Sequence, residues 1–224
     1  MIKNIIFDLD NTIILDKLED ADFYKESLRK LGYDENDYLG IFEAVDLYEE
    51  NLTDENPYFN KEEMLEFINK TMNRNYDMRL IDELNDAVGK YWTKRVMIEE
   101  EVIKELSSKY NLYVFTNFFE KPQEERLEVI GYRKYFKEVL GADRFGSKPF
   151  KKSMERVLDY INSTAEECIM VGDSIKKDIL VANKVNMKSI LFNYNGKKDD
   201  KRLNLKDYKV IYSANHLVEA IENS

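Results

Sequence analysis

Ile2-Lys3-Asn4-Ile5-Ile6-Phe7-Asp8-Leu9-Asp10-Asn11-Thr12 reads as a short strand over Ile2–Phe7, apolar apart from Lys3 and Asn4, ending in two carboxylates and a hydroxyl. Residues two apart at a strand end share a direction, so Asp8 and Asp10 project into one crevice. Four further brief β-rich stretches follow, at Leu112–Phe115, Cys168–Val171, Ser189–Phe192 and Val210–Tyr212. Helical spacing occupies about 98–109, 122–131, 149–161, 175–187 and 214–222. Strands alternating with helices predict an α/β unit, a parallel sheet with helices on both faces. Right-handed crossovers then bring the C-terminal strand ends to one edge, where such sheets bind ligands.

Residues 16–95 break this pattern. They hold 21 Asp and Glu against 11 Lys and Arg, so the entire net charge of −10 in the 224 residues lies there. Apolar residues three or four apart in Phe23–Leu31 and Lys61–Lys70 predict helices. The expected organisation is an α/β core from 1–15 and 96–224, with a small all-helical unit from 16–95 inserted in it. The acidic balance argues against nucleic-acid binding. No apolar run approaches the roughly 20 residues of a membrane helix. The early acids at Asp8 and Asp10 do not suit a secretory leader. The one cysteine, Cys168, sits in an apolar strand and reads as core. A cytoplasmic location is expected. His216 has no catalytic company.

The polar residues at the strand ends carry the chemistry. The second strand ends in Thr116-Asn117, Lys148-Pro149 opens a later helix, and Gly172-Asp173-Ser174 closes another strand, with Asp178 one turn on. Several carboxylates at one edge suit a hard divalent cation such as Mg²⁺, which takes oxygen ligands. Lys148 and the strand-end donors suit an anion with several oxygens, and phosphate fits that description.

Asp8-x-Asp10-x-Thr12, Thr116-Asn117, Lys148-Pro149 and Gly172-Asp173-Ser174 with Asp178, in that order, resemble the haloacid dehalogenase superfamily. Gly131 and Gly146 match as well. The resemblance implies a Rossmann-like core with a helical cap. It implies that Asp8 is the nucleophile forming an aspartyl-phosphate, and that Asp10 is the general acid and then the base. Thr116 and Asn117 would hold the phosphoryl oxygens, and Lys148 would neutralise them. Mg²⁺ would bind Asp8, the Asp10 carbonyl and Asp173, with Thr12, Ser174 and Asp178 in supporting positions. Family members that displace halide lack the second carboxylate, so Asp10 argues for a phosphatase acting on a small phosphorylated metabolite, a sugar phosphate or nucleoside monophosphate. A sugar phosphomutase and a non-catalytic phospholigand-binding protein remain as alternatives.

The resemblance also makes 16–95 a lid, with hinges near 14–18 and 93–98 and its acids expected to face solvent. Its aromatics, Tyr24, Tyr33, Tyr38, Tyr48, Tyr58, Tyr76, Tyr91 and Trp92, could pack helices or stack on a substrate ring. Gln123, Arg126, Leu127 and Gly131 are similar to nucleotidase-like members. Many family phosphatases place Gly after the Thr-Asn pair. Here Phe118 and Phe119 follow, either lining the pocket or packing beneath the cap.

Overall fold

The computed structural model describes residues 1–15, 22–91, 95–196, 205 and 208–224. Six strands form one parallel sheet: β1 (Asn4–Phe7), β2 (Asn111–Phe115), β3 (Phe136–Leu140), β4 (Cys168–Gly172), β5 (Lys188–Phe192) and β6 (Lys209–Ile211). Their order is β3-β2-β1-β4-β5-β6. The first strand is therefore central, flanked by β2 and β4, and the polar tails of all three meet at one edge. Expected strands sit within one or two residues of the observed ones. β3 is additional. Its Lys137 and Glu138 interrupt a five-residue run, and as an edge strand it needs fewer buried side chains.

Alternation along β1 builds two cores. Ile5 and Phe7 join Leu112, Val114, Ile169 and Val171 on one face, covered by Leu106 of α5 (Glu100–Lys109) and Leu217 of α10 (Leu217–Glu222). Ile6 and Met170 face the other way, toward Met154 and Val157 of α8 (Lys151–Tyr160) and Val181 of α9 (Leu180–Lys184). Both faces of the sheet are thus apolar and covered, as a parallel sheet requires. Helix 175–187 departs from expectation: Ile175–Ile179 winds as a π-turn before α9 begins. Cys168 is buried in β4 beside Asn4 and Ser163.

Four helices, α1 (Phe23–Leu31), α2 (Tyr38–Glu50), α3 (Lys61–Met72) and α4 (Arg79–Tyr91), close over a separate cluster that includes Leu28, Ile41, Ile68, Leu80 and Leu84. Phe119 and Ala142 of the sheet unit complete that cluster. Backbone bonds tie the two units: Ser147 N–H donates to Pro57 (2.7 Å) and Phe59 N–H to Ala142 (3.3 Å). α4 lies on α6 (Glu120–Val129) at Gly89, where a Cβ would meet the Glu125 side chain, so the glycine lets the two helices approach without displacing that carboxylate. The chain enters and leaves the helical unit side by side, with Leu15 N–H on Arg95 and Met97 N–H on Ile13, both 2.8 Å. Residues 16–18 and 93–94 of the expected hinges, and Trp92, lie outside the described residues. No helix among the described residues is long and apolar enough to cross a membrane.

α2 is anchored at its start by Asp37, which accepts Arg74 Nε and Nη2 (2.8 and 2.9 Å) and the Tyr76 hydroxyl (2.6 Å). Arg74 holds the Asp37 carboxyl below its ordinary range; burial works against this and Tyr76 adds to it. A depressed carboxyl contributes stability above its unfolded pKa and loses it as pH falls through the folded value. Asp37→Asn should therefore lower stability by about 1–2 kcal/mol at pH 7, a charge-assisted bond discounted for Arg74's exposure. Urea unfolding checks this: the gap to the wild type should be full above about pH 5 and shrink below about pH 4.

Candidate active site

Asp8 follows β1 directly, and its N–H pairs with Val171 (2.8 Å), so the strand's own hydrogen bonding fixes where its side chain starts. Lys148 Nζ donates to Asp8 Oδ1 and Asp178 Oδ1, both at 2.6 Å. Thr12 Oγ1 donates to Asp8 Oδ2 at 3.2 Å. Carboxylate oxygens of Asp8, Asp173 and Asp178 lie within 4.8 Å of one another, and all three residues are buried. The π-turn after β4 brings Asp178 back to the strand end, where its Oδ2 accepts Ser174 N–H (3.0 Å). Gly172 makes room for this return, because a Cβ there would stand 2.3 Å from the Asp178 carboxyl.

The electrostatics are crowded. Asp8 and Asp178 share the Lys148 ammonium, and the Asp173 carboxylate is buried beside them. Burial lifts the Asp8 carboxyl well above its ordinary range; Lys148 opposes this, while Asp178, Asp173 and Asp10 reinforce it. Burial also works to lower the Lys148 pKa, but Asp178 and Asp8 outweigh it and hold the ammonium above lysine's ordinary value. Three converging carboxylates offer the oxygen donors that a hard divalent cation takes. The side chains fitting such an ion are Asp8, Asp173 and Asp178.

Asp10 turns elsewhere. Its two oxygens accept Arg126 Nη1 and Gln123 Nε2, the latter at 2.9 Å. Gln123 Nε2 also donates to Thr116 Oγ1 at 2.9 Å. Thr116 N–H pairs with Leu140 (3.1 Å), which continues β2 alongside β3. Asn117 is engaged with Lys148: its Oδ1 accepts Lys148 N–H (2.7 Å) and its Nδ2 donates to the Lys148 carbonyl (2.8 Å). The side-chain amide of Asn117 therefore aligns the lysine's backbone, beside the cis Lys148-Pro149 bond.

A cavity of about 310 Å³ opens onto these groups. Its outer wall comes from the helical unit, chiefly Tyr24, Phe42, Val45, Phe59 and Val88. Phe118 lines it and packs edge-on against Phe59, while Phe119 is buried beneath the helices, so the two phenylalanines divide the roles expected of either. Of the eight aromatics singled out in the sequence, Tyr24 lines the cavity; Tyr33 pairs with Tyr76, Tyr48 with Phe59, and Tyr91 is exposed. The acids of the helical unit do not all face solvent. Glu49 of α2 points inward because it finds partners there, the Lys177 ammonium and Asn117 Nδ2. His216 is exposed, away from the cavity.

The family follows from a match that spans the motifs. A model of haloacid dehalogenase-like hydrolases matches residues 5–192. The chain belongs to this family. Across all of its length it is 25% identical to the glyceraldehyde 3-phosphate phosphatase of Methanocaldococcus jannaschii, covering 98% of that protein. It is 28% identical over 204 residues to the enzyme of the same name from Pyrococcus abyssi, covering 87% of this chain and 82% of that one. The crystal structure of the HAD-hydrolase YfnB from Bacillus subtilis, bound to magnesium, superposes with a TM-score of 0.71 at 18% identity, covering 97% of both chains. This haloacid dehalogenase-like hydrolase thus shares the fold of its relatives from one end to the other, helical unit included.

Sequence reasoning placed Asp8, Thr12, Thr116, Asn117, Lys148, Asp173, Ser174 and Asp178 at one edge, where the structure brings them together. It did not foresee that Asp10 would pair with Arg126 and Gln123. Their spacing of three on α6 was the available signal. Nor did it foresee Glu49 and Lys177, which meet across 128 positions of sequence.

Removing Lys148 would strand buried carboxylates without a counter-charge. Lys148→Met should cost about 3–5 kcal/mol at pH 7, as when one member of a buried ion pair is deleted. Equilibrium unfolding should show that deficit narrowing on acidification, because protonated carboxyls need no ammonium.

Proposed function

We propose that this hydrolase is a Mg²⁺-dependent phosphatase that cleaves a small phosphomonoester, such as a sugar phosphate or nucleoside monophosphate, through an aspartyl-phosphate on Asp8. The observation that carries this reading is the buried convergence of the Asp8, Asp173 and Asp178 carboxylates, with Lys148 joined to the first and the last. The full-length relatives named as phosphatases support it. A bound Mg²⁺ held by this acidic cluster would supply electrostatic relief for bringing an anionic nucleophile to an anionic ester.

The chain's own residues do the rest. The Asp8 carboxylate attacks phosphorus, forming the P–O bond to the enzyme as the ester's P–O bond breaks. Asp10 gives a proton to the departing oxygen. It then takes one from the water that attacks the aspartyl-phosphate, so phosphate leaves and both carboxyls return to their starting states. Thr116 seats the phosphoryl group, and Lys148 offsets its charge while holding Asp8 in line. The carbon skeleton of the ester lies against Phe42, Phe118 and Val88, away from bulk water.

In this reading residues 16–95 are a cap inserted in a core of 1–15 and 96–224. The cap selects the substrate and its closure excludes water. Glu49 is then a contact between cap and core that forms at Lys177.

Turnover of an aryl phosphate with Mg²⁺ present checks the proposal. Wild type should release inorganic phosphate, EDTA should abolish the release, and Asp8→Asn should reduce it at least about 10³-fold, as loss of a nucleophile does. Activity that persists in EDTA, or in the Asp8→Asn chain, contradicts it. With a hexose 1-phosphate the expected product is free phosphate, whereas a mutase would return the phosphoryl group to the sugar.

A further inference from the structure

Arg126 is one of the largest fully buried side chains in the described molecule, 1% exposed, and it carries a charge. Packing alone does not explain it, since an apolar side chain of similar volume would fill the space without the desolvation cost. Its contacts lead to the active site. Nη1 donates to Asp10 Oδ1 and to Gln123 Oε1, the latter at 2.7 Å. With its oxygen fixed by Arg126, the Gln123 amide has one orientation, and Nε2 reaches both Asp10 Oδ2 and Thr116 Oγ1.

The clamp therefore holds both oxygens of Asp10 and spans to the hydroxyl at the end of β2. Asp10 needs such support. It lies in the turn after β1, where Asn11 adopts a φ of 60°, and its side chain is 30% exposed. The neighbouring Asp8 carboxylate repels it. Left alone, its carboxyl would swing toward water, and a proton donor misplaced by an ångström forfeits much of its effect.

We propose that Arg126 and Gln123 are positioning residues that hold the Asp10 carboxyl at a set distance from the phosphoryl seat at Thr116, and so control proton transfer to the leaving group. The inference rests on the reading of Asp10 as acid and base. It implies that the pair matters in proportion to how much the leaving group needs a proton.

The test compares an alkyl phosphate, glycerol 1-phosphate, with p-nitrophenyl phosphate, whose leaving group departs with little protonation. Arg126→Lys keeps the buried charge but ends one bond short of Nη1, which loosens the bonds to Asp10 and Gln123 that this nitrogen makes. It should lower the alkyl-to-aryl ratio of kcat/KM about 10- to 100-fold, within the roughly 10²–10⁴ that general acid–base catalysis supplies. In an Asp10→Asn background the same substitution should leave the ratio unchanged, because the group it positions is gone. A crystal structure of the Arg126→Lys chain should show the Asp10 carboxyl displaced. Should that variant unfold, Gln123→Met carries the same comparison with the same expected direction. Equal loss on both esters, or losses that multiply in the double variant, overturns the positioning role while the phosphatase reading stands. A wild-type chain that hydrolyses neither ester overturns both.

Discussion

One ammonium held between two buried carboxylates organises this molecule. Lys148 reaches Asp8 and Asp178 from a loop 140 residues beyond the first and 30 short of the second. Without it the end of the central strand would face the end of β4 as like charges in a dry setting, and folding there would oppose itself. Asp173 joins the same cluster, so three carboxylates converge within 4.8 Å of one another. Such a set of oxygens suits a hard cation and, through the cation, an anionic ester.

The backbone features around the cluster serve this arrangement. The parallel pairing of β1 with β2 and β4 delivers the polar tails to one edge. The π-turn at Ile175–Ile179 and the bare Cα of Gly172 let Asp178 close onto the strand end from behind. Two of the hydrogen bonds of the Asn117 side chain hold the Lys148 backbone in register with β2. These are local devices, and each fixes the direction of one charged side chain. The helical unit adds a wall of aromatic and aliphatic groups and an inward acid, Glu49, joined to Lys177.

Much of this was legible in the amino-acid order because strand ends announce themselves. Ile5–Phe7 followed by Asp8 and Asp10, and Cys168–Val171 followed by Gly172 and Asp173, combine an apolar run with an abrupt polar tail. α1 was legible to the residue, since Phe23, Tyr24, Leu28 and Leu31 keep helical spacing. β3 was not, because an edge strand carrying Lys137 and Glu138 lacks the apolar run that marks its neighbours. The partners of Asp10 were hidden for a different reason. Side-chain pairing across more than 110 residues leaves no periodic trace, and Arg126 on a polar helix reads as solvated until the fold buries it. Glu49 was misjudged likewise: an acid among many acids gives no sign of which one turns inward.

The most direct measurement of the central claim is calorimetric titration of Mg²⁺ into the metal-free wild-type chain and its Asp173→Asn variant. The convergent carboxylates predict binding at one site in the wild type, weakened at least about tenfold when one of them is neutralised, a change of roughly 1.4 kcal/mol or more. Heat of binding that is absent from the wild type, or identical in the two chains, would contradict the account.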